Sequence, residues 1–261
     1  MATYVVGDIH GCYNEWIVLK HKIESNDKEA KFIIIGDIID RGDNVFYMLR
    51  WTMKNISSDG KYQMILGNHE KMKIDWWNQC CEPYFNEKIE MDDTVEQVEK
   101  SDILIDNYGY VYHFIEQGKG FKTIHSTIQW FKTLPYYKDL TINNKRFIIV
   151  HGNVKNSNVD KNLNCIKENL TSKDIEDMIW DRSTDRFTAI NDATLIYGHT
   201  PTILNEAYDY RVDAKDRHYG RIYHGMNRIN VDCGIAYKQY RDKANLAALR
   251  LEDLEEFYVF E

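Results

Sequence analysis

Short runs of bulky apolar residues, each broken off by a small polar motif with a glycine, recur five times and set the layout of the chain. Thr3-Tyr4-Val5-Val6 runs into Gly7-Asp8-Ile9-His10-Gly11, and Phe32-Ile33-Ile34-Ile35 runs into Gly36-Asp37-Ile38-Ile39-Asp40-Arg41-Gly42-Asp43. Tyr62-Gln63-Met64-Ile65-Leu66 leads to Gly67-Asn68-His69-Glu70, Arg146-Phe147-Ile148-Ile149-Val150 to His151-Gly152-Asn153, and Thr194-Leu195-Ile196-Tyr197 to Gly198-His199-Thr200. Such apolar runs predict strands, and Phe32-Ile33-Ile34-Ile35, three of its four residues β-branched, predicts one buried on both faces. Between the first three, apolar residues return at helical spacing. Trp16, Leu19 and Ile23 predict an amphipathic helix over about 14–24, and Val45, Met48, Leu49 and Met53 predict another over about 44–55. Strand, helix, strand, helix, strand argues for βαβ units in a parallel sheet. A third helix follows Asn68, and its stripe of Met72, Trp76, Trp77 and Cys80 reads as core.

From about 82 to 145 the periodicity changes. Acidic and lysine residues are dense through Lys100, and aromatics are dense from Tyr108 to Tyr137. Val95 and Val98 predict one helix; Ile128, Phe131 and Leu134 predict a second, stopped at Pro135. The stretch reads as a helical insertion, set between two chemistry-bearing strands of a single domain over 1–261. Thr171-Ser172-Lys173-Asp174 fits a capping box that opens a helix with Ile175, Met178 and Ile179. The polar, Tyr-rich residues 205–227 read as a long loop. Arg228-Ile229-Asn230-Val231 is a strand leading to Asp232-Cys233-Gly234, with further β runs over about 245–251 and 256–260. The second half therefore reads as hairpins rather than βαβ units, and the sheets as mixed.

Every one of the five strand ends delivers Asp, Asn or His beside a glycine. Open α/β sheets bind ligands at the carboxyl ends of their strands. Asp37 and Asp40 can hold a cation there, and Arg41 an anion. Oxygen and imidazole donors without cysteine suit Mn, Fe or Zn. A single Asp-x-x-Asp-Arg turn would read as a solvated loop, but five strand ends with one chemistry read as a metal centre.

Composition narrows the class. The 261 residues, 43% hydrophobic and 28% charged, fit one large soluble α/β domain. A formal net charge of −8 argues against non-specific wrapping of nucleic acid. The five cysteines are odd in number, two are adjacent, and none forms a C-x-x-C pair, so neither a disulfide framework nor a thiolate zinc site is expected. No basic, apolar leader precedes Thr3, and no apolar run approaches membrane-spanning length. A reducing, cytoplasmic setting is the expectation.

Taken in order, these motifs resemble those of the calcineurin-like metallophosphoesterases, and more narrowly the phosphoprotein-phosphatase branch with its phage lambda and bacterial serine/threonine phosphatases. The likeness rests on residues 7–11, 36–43 and 67–70, on His151-Gly152 and Gly198-His199-Thr200-Pro201, and on Ile179-Trp180-Asp181-Arg182 and Val231-Asp232-Cys233-Gly234. It covers roughly 1–81 and 146–235. Two departures stand out: Asn153 replaces the second glycine seen in many members, and the Ser-Ala-Pro-Asn-Tyr block of eukaryotic members is missing.

The resemblance implies a mixed α/β fold, a four-layer αββα sandwich of two mixed sheets flanked by helices. It implies two divalent ions, with Mn expected and Fe or Zn as alternatives. One ion would take Asp8, His10 and Asp37; the other would take Asp37, Asn68, His151 and His199, with Asp37 bridging. Such a pair activates a shared water for in-line attack on phosphorus. Arg41 and Arg182, with Asn68, would hold the phosphate oxygens; His69 would protonate the leaving oxygen and Asp40 would orient His69. The implied partner is a phosphorylated substrate: a phosphoserine or phosphothreonine protein, a dinucleoside polyphosphate, or an RNA end or cyclic nucleotide. A catalytically silent metal-binding scaffold has no need of His69, Asp40 and Arg41 together. Glu70 and Asp232 read as braces of the site loops.

Overall fold

The computed structural model describes residues 2–82, 121–182, 190–204 and 219–261. The helix expected at Val95 and Val98 and most of the 205–227 loop lie outside these residues. The first half runs β1 (Thr3–Val6), α1 (Tyr13–Asn26), β2 (Lys31–Ile34), α2 (Val45–Asn55), β3 (Tyr62–Met64) and α3 (Asn68–Trp76). Strand β2 pairs in parallel with β1 and with β3, as the βαβ reading requires. The second half contains α4 (Phe121–Phe131), β4 (Tyr137–Ile142), β5 (Lys145–Val150), α5 (Ser172–Trp180), β6 (Ala193–Tyr197), β7 (Tyr223–His224), β8 (Arg228–Asn230), β9 (Ala247–Arg250) and β10 (Glu256–Tyr258).

The strands form two five-stranded mixed sheets, ordered β10-β9-β1-β2-β3 and β4-β5-β6-β8-β7. Successive side chains of a strand point to opposite faces, and here the two faces feed different cores. Val5, Ile33, Ile35, Phe147, Ile149 and Ile196 fill the space between the sheets. Their neighbours Tyr4, Val6, Phe32 and Ile34 turn outward against Trp16, Leu19, Met48, Trp77, Ile128 and Phe131 from the helices. On the far side, Ile148, Val150, Leu195 and Tyr197 pack with Met178. Three cores between four layers explain why β1, β2, β5 and β6 show unbroken apolar runs: these strands are covered on both faces.

Several local expectations are corrected. The second half is not built of hairpins alone. Strand β5 pairs in parallel with β6, and β6 with β8, so α5 is a crossover helix. Its capping box is present, with Thr171 Oγ1 accepting from Asp174 N at 3.2 Å and Asp174 Oδ2 accepting from Thr171 N at 2.7 Å. The helical character expected up to 145 ends before β4, which pairs antiparallel with β5 through the two-residue turn Asn143-Asn144. Both asparagines have positive φ, 50° and 62°, the conformation that favours Asn in tight hairpins. An Asn-Asn pair between alternating residues was the available signal. Tyr223–His224 likewise pairs with β8 inside the stretch read as loop. On α2, Met53 is exposed and Thr52 takes the inward position, its hydroxyl donating to the Met48 and Leu49 carbonyls. Among the described residues no helix is long and apolar enough to cross a membrane.

Candidate metal centre

The carboxyl ends of β1, β2 and β3 in one sheet face those of β5 and β6 in the other, and the predicted polar residues converge where they meet. The loop after β2 is held from inside. Glu70, in the first turn of α3 and fully buried, accepts the Asp37 N–H at 2.8 Å, the Ile38 N–H at 2.9 Å and the Gly67 N–H at 3.2 Å. Burial first, and then Asp37, pushes its carboxyl up to about 7, while the backbone donors work against that rise. Glu70 thus braces the loop, as expected.

The site residues themselves take the unusual backbone conformations. His10, Asp37, Asp40, Arg41 and His199 have φ of 47°, 50°, 64°, 66° and 65°. Non-glycine residues in this region cost about 1–3 kcal/mol each and persist where the surroundings fix them. Gly11 and Gly36 share this region, at φ 66° and 102°, and other strand-end glycines serve close approach. A Cβ on Gly67 would fall 2.3 Å from both the Asp37 backbone nitrogen and Asp37 Oδ1. That nitrogen is pinned by Glu70 and cannot yield. Gly67→Ala should therefore destabilise the fold by about 1–3 kcal/mol, the usual cost of overpacking, and shift Asp37. Chemical denaturation against wild type measures it; an unchanged midpoint contradicts the packing argument.

Asp37 is the centre of the cluster. Its Oδ2 lies 3.5 Å from His10 Nε2 and 3.8 Å from His69 Nε2, while its Oδ1 lies 3.4 Å from His151 Nε2. His10, Asp37 and His69 bring ligand atoms within 4.8 Å of one another, and so do Asp37, His151 and His199. All of these side chains are buried. The imidazoles are aimed by main-chain acceptors. His10 Nδ1 donates to the Ile39 carbonyl at 2.9 Å and His151 Nδ1 to the Ile35 carbonyl at 2.8 Å, turning both Nε2 atoms to the centre. Metal-ligating histidines are held in this way. Asn68 Oδ1 lies 2.9 Å from His151 Nε2 and 2.7 Å from His199 Nδ1. Asp8 Oδ2 and His199 Nε2 are buried without a hydrogen-bond partner. Orphaned donor atoms of this chemistry at such a cluster fit divalent cations.

Electrostatics point the same way. Burial opposes charge on His151, yet Asp37 and Asp8 outweigh it and push the imidazole up to about 10. Burial would raise the Asp37 carboxyl, but His151, His69 and His10 hold it well below its ordinary range. Asp8 is raised, by burial and then by neighbouring Asp232. Asp232 spends one oxygen on the Gly234 N–H at 2.9 Å, bracing its strand end. The cluster draws positive charge inward. Arg41 answers as well, with Nη1 at 2.7 Å from His10 Nε2 and Nη2 at 3.1 Å from His69 Nε2.

A family model for calcineurin-like phosphoesterases matches residues 1–214. The chain belongs to that family. Among curated relatives, the symmetrical bis(5'-nucleosyl)-tetraphosphatase of Escherichia coli is 39% identical over 70 residues, covering 27% of this chain and 24% of that protein. The match thus spans about a quarter of the length of these relatives. Two solved structures share the fold. A protein serine/threonine phosphatase from Saccharomyces cerevisiae aligns with a TM-score of 0.51 at 16% identity, over 100% of this chain and 81% of its own. A mutant cold-active protein tyrosine phosphatase aligns with a TM-score of 0.53 at 16% identity, over 98% and 80%.

Within this phosphoesterase fold, Asn68, His151 and His199 lie on one side of Asp37, and His10, His69 and Arg41 on the other. Asp8 is part of neither close triad; its Oδ1 accepts the His199 N–H at 3.4 Å. Asp40 stands behind His69, its Oδ2 at 2.6 Å from His69 Nδ1. Arg182 lies at the rim, where Nη1 donates to the His199 carbonyl at 2.9 Å. Asn153, the departure from the family motif, donates to Asp181 Oδ2 at 2.7 Å and so ties the end of β5 to the residue before Arg182. His125 and His224 pair elsewhere, with Gln129 and Glu256. Sequence reasoning missed Lys73. It is buried, and its Nζ is 3.2 Å from Asp40 Oδ2. A lysine inside an otherwise apolar helical stripe, four residues after a site histidine, was the signal.

Proposed function

We propose that this phosphoesterase-family chain hydrolyses phosphomonoesters with two divalent ions, Mn above Fe or Zn, and that phosphoserine and phosphothreonine proteins are its substrates. The observation that carries the reading is the split of Asp37, which turns one oxygen to His10 and the other to His151. One carboxylate can so serve two ions. His10, with Asp8 and Asp37, would hold the first, and Asn68, His151 and His199, with Asp37, the second. Bound there, the pair would supply Lewis-acid charge to phosphoryl oxygens and lower the pKa of a water between them.

The remaining steps belong to the chain. Arg41 now donates to the imidazole nitrogens of His10 and His69. A cation at the His10 lone pair would compete with it, and the guanidinium so released is the group we assign to phosphate, since its planar fork suits bidentate contact. Arg182, anchored to the His199 carbonyl, and Asn68 would complete the grip. His69 donates a hydrogen bond from Nδ1 to Asp40, so with Arg41 withdrawn Nε2 is the atom that would carry the second proton of the imidazolium and pass it to the leaving oxygen.

A second substrate class has its own support. The curated relatives matched over 70 residues are named symmetrical bis(5'-nucleosyl)-tetraphosphatases, which favours a dinucleoside polyphosphate. RNA ends and cyclic nucleotides share the same inner chemistry. Cys12, Cys165 and Cys233 form no disulfide, in keeping with the cytoplasmic setting we propose.

The test is hydrolysis of an aryl phosphate after exhaustive chelation, followed by Mn-loaded assays on a phosphopeptide, diadenosine tetraphosphate and a 2',3'-cyclic nucleotide in parallel. Activity should vanish with the metal, return with Mn, and be highest on the phosphopeptide. Undiminished turnover after chelation overturns the metal reading; a preference for diadenosine tetraphosphate replaces the substrate reading with the second one.

A further inference from the structure

Lys73 lies one helical turn after His69 on α3, and it is only 4% exposed. Lysine is almost never this buried unless it is paired. Residues four apart share a helix face, and both of these side chains reach the same atom. Asp40 Oδ2 lies 2.6 Å from His69 Nδ1 and 3.2 Å from Lys73 Nζ. The other carboxylate oxygen, Oδ1, is buried and makes no hydrogen bond. The backbone of Asp40 sits in a loop at φ 64°, beside Arg41 at φ 66°. No strand ladder fixes this residue, so its carboxylate direction depends on the two donors from α3.

We propose that Lys73 is a positioning residue for the phosphoester reaction, its ammonium fixing the Asp40 carboxylate and, through it, the His69 ring. The proposal rests on the reading of His69 as proton donor. Two donors on one oxygen define a direction; one donor leaves the carboxylate free to turn about its Cβ–Cγ bond. His69 Nε2 also touches Arg41, so a ring that turns moves both the proton donor and the guanidinium.

The test compares Lys73→Met and Lys73→Arg, each alone and in an Asp40→Asn background. The readouts are kcat on an alkyl phosphate and on dinitrophenyl phosphate, with metal content and melting temperature alongside. Lys73→Met should lose about ten- to a hundredfold on the alkyl ester, the scale for removing an outer-shell partner that orients a site residue, and far less on the aryl ester. Lys73→Arg keeps charge and donor and should recover most of that loss. In the Asp40→Asn background, Lys73→Met should leave the alkyl-to-aryl ratio unchanged, because its route to His69 is already cut. An equal drop on both esters, or a full drop that persists without the Asp40 carboxylate, overturns the proposal. Where Lys73→Met does not fold, Lys73→Arg decides, and a ratio far from wild type with intact metal content counts against it. His69→Asn separates the two levels. A leaving-group-dependent loss there with none at Lys73 sinks the positioning role alone; no such loss at His69 sinks the donor reading beneath it.

Discussion

His69→Asn should lose about 10²–10⁴-fold in kcat on an alkyl phosphate, the usual contribution of a general acid, and much less on dinitrophenyl phosphate. A dinitrophenolate leaves without a proton; a serine alkoxide does not. The geometry behind this is the 2.6 Å contact between His69 Nδ1 and Asp40 Oδ2. Burial would raise the Asp40 carboxyl, but the hydrogen bond from His69 and the charge of Lys73 keep it below its ordinary range. Asp40 is therefore an acceptor at neutral pH, fixing the proton on Nδ1 and presenting Nε2 to the site. Asp40→Asn should show the same leaving-group dependence more weakly, because the ring remains but loses the carboxylate that accepts from Nδ1 and orients it. The measurement is kcat against leaving-group pKa, with metal content confirmed for each variant. A parallel drop on all esters would assign His69 to holding water or phosphate, and the acid role would be given up.

Asp37→Asn should do the greatest damage to metal content. Replacing a partner that merely orients a ligand costs about 10–100-fold in metal affinity; removing the carboxylate that faces both halves of the site should cost more, and at both ions. His199→Ala should by contrast mainly affect one position, because the His199 imidazole groups with Asn68, Asp37 and His151 and is not part of the His10 triad. Elemental analysis after dialysis tests the pair, and an Asp37→Asn protein that still carries both ions refutes the bridge.

The strands and the candidate ligands were legible because one physical cause wrote both. A strand covered on both faces is apolar throughout, so Phe32 to Ile35 and Arg146 to Val150 announce themselves, and the first polar residue after each marks the strand end. Half-covered elements were not legible in this way. Strand β4 has an edge position, with Asp139 and Thr141 exposed, and its alternation was lost among the aromatics and charges around it. Crossover helix α5 was found by its cap, but nothing local to it states which strands it joins. At the site, residue identities were visible while contacts were not. The placement of Arg41 between His10 and His69 depends on a positive-φ loop that Asp40-Arg41-Gly42 alone does not dictate. Lys73 went unread because a helical stripe is scanned for apolar residues, and a lysine in it registers as a gap.

The claim that everything else depends on is that one carboxylate joins two cations. Its most direct measurement is Mn²⁺ titration of chelator-stripped wild-type protein, with free Mn²⁺ followed by electron paramagnetic resonance and the loaded protein examined at low temperature. The account predicts saturation at two ions per chain and a spin-coupled spectrum, since Asp37 would link the pair. Saturation at one ion, or two ions with uncoupled spectra, would contradict it.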